Sequence, residues 1–176
     1  MTPTIALRAA TAADIPVLCE LGARTFRETY RAINDPREVD EYADAHFTPA
    51  EVAGWLDTPA AVTLLAHLDG APAGYAHVRR GAVAACVADR GAVELSRLYL
   101  LASAHGRGIG AALMRRALDE AAALGGRTLW LGVYDRNEKA VAFYESWGFA
   151  QVGTHDFEFG GRIYADPVMV RPVAPA

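Results

Sequence analysis

Glu94-Leu95-Ser96-Arg97-Leu98-Tyr99-Leu100-Leu101-Ala102-Ser103-Ala104-His105-Gly106-Arg107-Gly108-Ile109-Gly110-Ala111 carries more information than any other stretch of this chain. Its first half reads as a strand. Three glycines and an arginine then make a loop that opens a long helix. Glycine lets the backbone take φ > 0 and approach a ligand closely. The free N–H groups and dipole of a helix start favour phosphate oxygens, and Arg107 adds a fixed charge with bidentate geometry. The segment predicts a phosphate cradle at a strand–helix junction.

Two common cradles do not fit it. A Walker loop ends in Gly-Lys-Ser/Thr, and no such run occurs. A dinucleotide fingerprint reads Gly-x-Gly-x-x-Gly, with an acidic residue about 20 positions on. Here Gly106-Arg107-Gly108-Ile109-Gly110 is followed by Ala111-Ala112-Leu113, and Gly125-Gly126-Arg127-Thr128 stands where the acid belongs. A pyrophosphate cradle of another class is left.

The flanks predict the rest of the fold. Leu113, Met114, Ala117, Leu118, Ala121 and Leu124 form an apolar helical stripe that Gly125-Gly126 ends. Residues 128–134 read as a strand, Asn137 to Trp147 as a helix, and Val152–Phe159 and Ile163–Val170 as two strands turning at Gly160-Gly161. Before the central segment, residues 61–68 and 73–78 read as strands around the hairpin turn Asp69-Gly70. Ile5-Ala6-Leu7-Arg8 is a first strand, and Thr11 to Asp14 a variant capping box opening a helix through Leu18 and Phe26. Helices also start at Glu38 and at Thr48-Pro49-Ala50-Glu51, which has an N-cap Thr, Pro at the first position and Glu three residues on. The order predicts one α+β domain over residues 1–176 with a mixed sheet. The tail Pro172-Val173-Ala174-Pro175-Ala176 reads as a frayed end.

Composition narrows the function classes. With 176 residues, 52% hydrophobic and 22% charged, the chain suits a single soluble domain. A net charge of −4 argues against a general nucleic-acid binder. No apolar run is long enough for a membrane span, and Met1-Thr2-Pro3-Thr4 lacks a signal peptide's basic and apolar segments, so a cytoplasmic location is expected. Cys19 and Cys86 lie in apolar runs and read as buried free thiols. His46, His67, His77, His105 and His155 show no metal-ligand spacing, so no metal is assigned.

The glycine loop resembles motif A of the GCN5-related N-acetyltransferases, Gln/Arg-x-x-Gly-x-Gly/Ala. Gly108-Ile109-Gly110 matches, Arg107 holds the common basic position, and His105 stands where Gln or Arg is usual. The run Asn137-Glu138-Lys139-Ala140-Val141-Ala142-Phe143-Tyr144-Glu145-Ser146-Trp147-Gly148-Phe149 resembles motif B, Asn-x-x-Ala-x-x-Phe-Tyr-x-x-x-Gly-Phe. The pieces at 25–30, 94–99, 130–134 and 153–157 are similar to the PaiA-type branch, which includes polyamine acetyltransferases. The resemblance implies the acyl-CoA N-acyltransferase fold, with about seven strands and two splayed central parallel strands. It implies acetyl-CoA as co-substrate, a small-molecule amine as acceptor and direct transfer without a covalent enzyme intermediate. It also implies a frequent homodimer. A non-catalytic acyl-CoA sensor, a nucleotide-dependent oxidoreductase, or transfer to a peptide, amino acid or antibiotic amine are the alternatives.

Site residues follow from the same resemblance. Gly106, Gly108 and Gly110, with His105, Arg107, Ile109 and Ala111, would hold the pyrophosphate. Leu98, Tyr99 and Leu100 would pair with the pantetheine arm and polarise the thioester. An alkyl ammonium titrates near ~10.4, so the amine must lose a proton before it attacks. Glu94, eleven residues ahead of His105, is placed as that base, directly or through water; an ion-paired carboxylate, with Arg97 as partner, is the other reading. Alternation puts Glu94, Ser96, Leu98 and Leu100 on one face. Tyr144, a phenol with a pKa near ~10, would protonate the leaving thiolate, or is a core aromatic. Asn137 is a helix N-cap that would also touch the cofactor arm. His155 reads as structural or as bordering the acceptor. The cluster Asp35, Glu38, Asp40, Glu41 and Asp44 reads as a solvated helix face or an acidic mouth for a polyamine, with Glu28, Asp156 and Glu158 as further candidates.

Overall fold

In the structure, a computed structural model that describes residues 3–173, the elements follow as β1 (Ile5–Ala9), α1 (Ile15–Tyr30), α2 (Pro36–His46), α3 (Pro49–Asp57), β2 (Ala61–Leu68), β3 (Ala71–Arg79), β4 (Val93–Leu100), α4 (Ile109–Ala123), β5 (Thr128–Gly132), α5 (Glu138–Ser146), β6 (Ala150–Phe159) and β7 (Arg162–Pro172). The strands form one sheet in the order β1-β2-β3-β4-β5-β7-β6. Every neighbouring pair is antiparallel except β4 and β5, which α4 joins by a crossover. The seven-stranded mixed sheet predicted from sequence is present. β5 stops two residues short of the expected strand, although Val133 N–H still reaches Pro167 O at 3.0 Å. The expected frayed tail begins inside β7, and Val173 N–H is bonded to Arg127 O at 2.8 Å; residues 174–176 lie outside the described residues.

Each sheet face buries a separate core. On one, α4 presents Ile109, Leu113, Met114, Ala117 and Ala121 to Leu64, Ala76, Val93, Leu95 and Leu129. On the other, Leu18 and Phe26 of α1, Val39 and Ala43 of α2 and Trp55 of α3 pack on Leu65 and Tyr75. Both amphipathic patterns were legible. A third cluster was not: the irregular segment 80–92 lays Val87 and Ala92 over Trp130 and Val168, on sheet surface outside the helical core. Cys86 packs at its edge, and both cysteines are half-buried, not buried as expected.

Helix starts follow the capping chemistry. Thr48 accepts Glu51 N–H at 3.3 Å with Pro49 at the first position. Asp35 caps α2 by accepting Arg37 N–H at 2.8 Å. At Thr11 the chain makes a 3₁₀ turn (Ala12–Asp14) before α1, and the Asp14 carboxylate accepts Thr11 N–H at 2.8 Å. The Arg8 guanidinium, bonded to the same carboxylate at 2.7 and 2.6 Å, holds Asp14 well below the usual carboxylate range. Among the described residues, no helix is long and apolar enough to cross a membrane.

Asp14→Ala removes this clamp between β1 and α1 and is expected to cost about 2 kcal/mol at pH 7. Because the folded-state pKa is depressed, the charge contribution is complete above the unfolded value near ~4 and fades as pH falls below it. Urea midpoints at pH 7 and pH 3 measure this; an equal gap at both would mean that lost packing, not charge, sets the cost.

Candidate active site

β4 and β5 are hydrogen-bonded neighbours for only two residue pairs, Val93 with Leu129 and Glu94 with Trp130. Beyond them β4 stays paired to β3 as far as Leu100, and β5 stays paired to β7, so the two central strands part. The divergence starts at a bulge. Arg97 is opposite His77 and Leu95 is opposite Val78, which leaves Ser96 as an extra residue on β4. A bulge bends its strand and re-aims the side chains after it. The expectation that Glu94, Ser96, Leu98 and Leu100 share one face is therefore overturned. Leu98 and Leu100 pack toward α4, whereas Glu94, Ser96, Arg97 and Tyr99 line a cleft on the α1–α3 side.

Two clefts meet at the opening. The first, of about 680 Å³, has Leu95 to Leu100 on one wall and Gly132, Val133 and Tyr134 on the other. His105, Gly106, Gly108, Gly110 and Ala111 close one end, and Asn137, Ala140, Phe143 and Tyr144 of the α5 region complete it. Gly106 and Gly108 adopt φ of +72° and +87°, a left-handed turn that residues with a Cβ resist. Gly108 is the N-cap of α4 and has no capping side chain. The first bond of the helix is Ala112 N–H to Gly108 O at 3.0 Å, so the N–H groups of Ile109, Gly110 and Ala111 lack partners among the described residues. Three orphan donors at a positive dipole end fit an anion such as a phosphate. Likewise, half of the β4 backbone groups face the gap where β5 has departed, which leaves donors and acceptors for an extended ligand.

The predicted cradle residues divide by role. Arg107 turns toward the β2–β3 hairpin and pairs with Asp69 at 3.1 Å, off the cleft lining. The Ile109 side chain is fully buried in the core, leaving only its backbone for a ligand. Asn137 caps α5 by accepting Ala140 N–H at 3.2 Å while also lining the cleft. Tyr144 is buried between Phe143 and Phe149, and its side chain borders the cleft. Burial, reinforced by Tyr99, raises its pKa well above that of an ordinary phenol, so it is protonated at neutral pH.

The second cleft, of about 250 Å³, is walled by aromatic rings from α1–α3, β4 and β6 and by Tyr134 beyond the end of β5. It shares Tyr30, Ser96, Arg97, Tyr99, Gly132 and Tyr134 with the first. The hydroxyls of Tyr30 and Tyr99 lie 3.3 Å apart, and Tyr134 donates to Asn34 Oδ1 at 2.8 Å. A Cβ on Gly132 would stand 2.3 Å from His155 Nε2, so any larger residue there would displace the ring that borders the cleft. Glu94 does line this cleft, but its partner is Arg79 at 2.6 Å, not Arg97. Arg97 instead stacks over Trp55, 4.2 Å from the ring centroid. Asp156 and Glu158 point out on the far face of β6. Glu28 lines the first cleft, where it accepts Ala102 N–H at 2.7 Å. Of the acidic cluster on α2, Asp40 is held by Arg27 and Arg31, and Asp44 by Arg27. Among the described residues, no group of three or more His, Cys, Asp or Glu is placed to hold a metal ion.

Two cleft residues went unrecognised in the sequence. His77 is buried with Nδ1 2.8 Å from Thr63 Oγ1; burial, with the charges of Arg97 and Arg79, pushes its pKa down to about 4, and the ring is neutral. Asp166, on β7 opposite His155, is 5% exposed and its Oδ1 has no hydrogen-bond partner. Burial pushes its pKa up to about 6, against the pull of the Asp135 backbone N–H. The signal for it was present, since alternation puts Asp166 between Tyr164 and Val168 on an otherwise apolar strand face.

Comparison with known proteins agrees with this geometry. Residues 24–149 match the model of the acetyltransferase (GNAT) family. An uncharacterized N-acetyltransferase of Mycobacterium tuberculosis is 39% identical over 158 residues, 90% of this chain and 97% of the relative. Among solved structures, the PaiA N-acetyltransferase from Thermoplasma acidophilum in complex with coenzyme A superposes with a TM-score of 0.77 at 20% identity, covering 96% of this chain and 99% of that one. A GCN5-related N-acetyltransferase from Rhodopseudomonas palustris gives the same TM-score at 22% identity, with 96% of each chain covered.

The Asp166 environment yields a stability test. Its folded-state pKa is raised above the unfolded value, so the ionised form is penalised above pH 6 and the penalty is relieved as pH falls toward 4. Asp166→Asn should recover about 2–3 kcal/mol at pH 8, seen as a rise of about 4–8 °C in Tm, and close to none at pH 4. Calorimetry at the two pH values checks it, and a gap that does not change with pH would contradict a buried charge.

Proposed function

The chain belongs to the acetyltransferase (GNAT) family, and on that premise we propose that it moves an acetyl group from acetyl-CoA to a primary amine of a small molecule by direct transfer. The observation that carries this reading is the meeting of the two clefts at the β4–β5 opening, which would let a donor in one reach an acceptor in the other. The first cleft suits coenzyme A. The orphan N–H groups of Ile109, Gly110 and Ala111, with the left-handed turn at Gly106 and Gly108, would hold its diphosphate, and His105 stands beside them. The backbone of Leu98 to Leu100 would pair with the pantetheine arm, with Asn137 across the cleft.

In the transfer the C–N bond forms as the C–S bond breaks, and two protons need destinations. The ammonium gives one to a base before attack, and the nitrogen loses the second as the tetrahedral intermediate collapses, which replaces the proton that Tyr144 passes to sulfur. Two carboxylates line the acceptor cleft. Glu94 has Oε2 bound to Arg79, which leaves Oε1 to act directly or through water. Asp166 has an unpartnered oxygen and lies close enough to Tyr30 and Tyr99 for its charge to raise both phenols. That free oxygen makes Asp166 the stronger candidate. Tyr144 gives a proton to the sulfur; the burial that raises its pKa also disfavours a bare thiolate, which keeps the two proton affinities near one another. Carbonyl polarisation comes from a β4 backbone N–H at the gap. A polyamine, the acceptor of the branch that the sequence resembles, would find Glu94 and Asp166 as the counter-charges among the described residues of this cleft.

Mixing the chain with acetyl-CoA and a panel of primary amines should release free thiol. Tyr144→Phe should lower kcat by about 10²-fold or more while acetyl-CoA affinity stays within about threefold. Full turnover in the variant would remove the acid role from Tyr144. Tight acetyl-CoA binding with no turnover by the wild type on any amine would favour a sensor.

A further inference from the structure

Building on the transferase reading, we propose that the acceptor is a zwitterion, a small amino-acid-like molecule whose carboxylate is held by Arg97 and whose amine stands at Asp166. Arg97 is half-buried on the acceptor cleft. One face of its guanidinium is covered by the Trp55 ring at 4.2 Å, with Phe47 at 5.6 Å. None of its N–H donors meets a carboxylate or carbonyl among the described residues. The cleft's other arginine, Arg79, is already tied to Glu94 at 2.6 Å. His77, the next ionisable group, is neutral and bonded to Thr63.

A stacked guanidinium with a free edge offers a rigid fork of N–H donors that matches a planar carboxylate. A half-buried cation without a counter-charge is costly, and an anionic ligand group removes that cost. The positive charge acts on Tyr42, Tyr75, His77 and Tyr99. The Asp166 carboxylate acts on Tyr30, which Arg97 does not reach, and the two charges oppose one another at Tyr99. Asp166 sits on β7, two strands from β4 across the gap. With Glu94 and Arg79 cancelling one another, the cleft has a positive pole at β4 and α3 and a negative pole at β7. Arg97 lines both clefts and Asp166 only the acceptor cleft, so the amine reaches the opening through the Tyr30 and Tyr99 hydroxyls, which Asp166 faces and which line both. A polyamine would set a second ammonium against Arg97.

Matched acceptors differing only in the carboxylate test this. Thiol release from acetyl-CoA is followed with L-phenylalanine, 4-aminobutyrate and their carboxamides, and with spermidine. In the wild type, kcat/KM for at least one acid should exceed that of its amide by about 10- to 100-fold. Arg97→Gln should raise the KM of that acid and bring the acid-to-amide ratio within about threefold of one, and Arg97→Lys should restore part of it; circular dichroism confirms that both variants fold. Spermidine or the amides used as well as the acids, or a ratio untouched in Arg97→Gln, would overturn the zwitterion while leaving the transferase standing. Absence of thiol release with every acceptor would remove both.

Discussion

The loss of hydrogen bonds between β4 and β5 after their second residue pair is the feature on which the rest of the molecule depends. A sheet that stayed paired would be continuous at its centre, with one face closed off from the other. Here the Ser96 bulge bends β4 away, while β5 keeps its partner β7 and ends at a glycine. The opening is stable because each strand remains anchored on its outer side, β4 through β3 and β5 through β7, and because α4 and α5 pack beneath it. The backbone groups released at the gap are not wasted, since they face the cleft where an extended ligand can satisfy them.

Chemistry follows from what the opening joins. On one side the helix start leaves three orphan donors that suit an anion, while the Arg107 side chain is turned to Asp69. On the other side aromatic walls exclude water and sharpen every charge left inside. Phenols at Tyr30, Tyr99 and Tyr144 stay protonated, His77 stays neutral, and Asp166 retains an appetite for a proton. Proton transfer to and from a bound substrate therefore has few competing routes.

Much of this was legible before any coordinates. The helical stripe after Ile109, the caps at Thr48 and Asn137 and the Asp69-Gly70 turn are local chemistry, and local chemistry can be read from spacing. The glycine turn that opens α4 was legible for the same reason, whereas Tyr144 was singled out by the motif that its helix resembles. The misreadings were non-local. Perfect alternation was assumed along β4, and one extra residue at Ser96 reversed the faces beyond it. The partner of Glu94 proved to be Arg79, across a strand pair no spacing rule connects. Asp166 and Arg97 acquire meaning only from what surrounds them, a buried apolar face in one case and an indole ring in the other. The cover supplied by residues 80–92 has no periodic pattern to announce it.

A crystal structure of the chain with coenzyme A tests the central claim most directly. The account predicts the diphosphate on the N–H groups of Ile109, Gly110 and Ala111, the arm lying along Leu98 to Leu100 in the gap, and the sulfur beside the Tyr144 hydroxyl. A diphosphate bound away from the Gly106–Gly110 turn, or an arm that runs outside the β4–β5 opening, would contradict it.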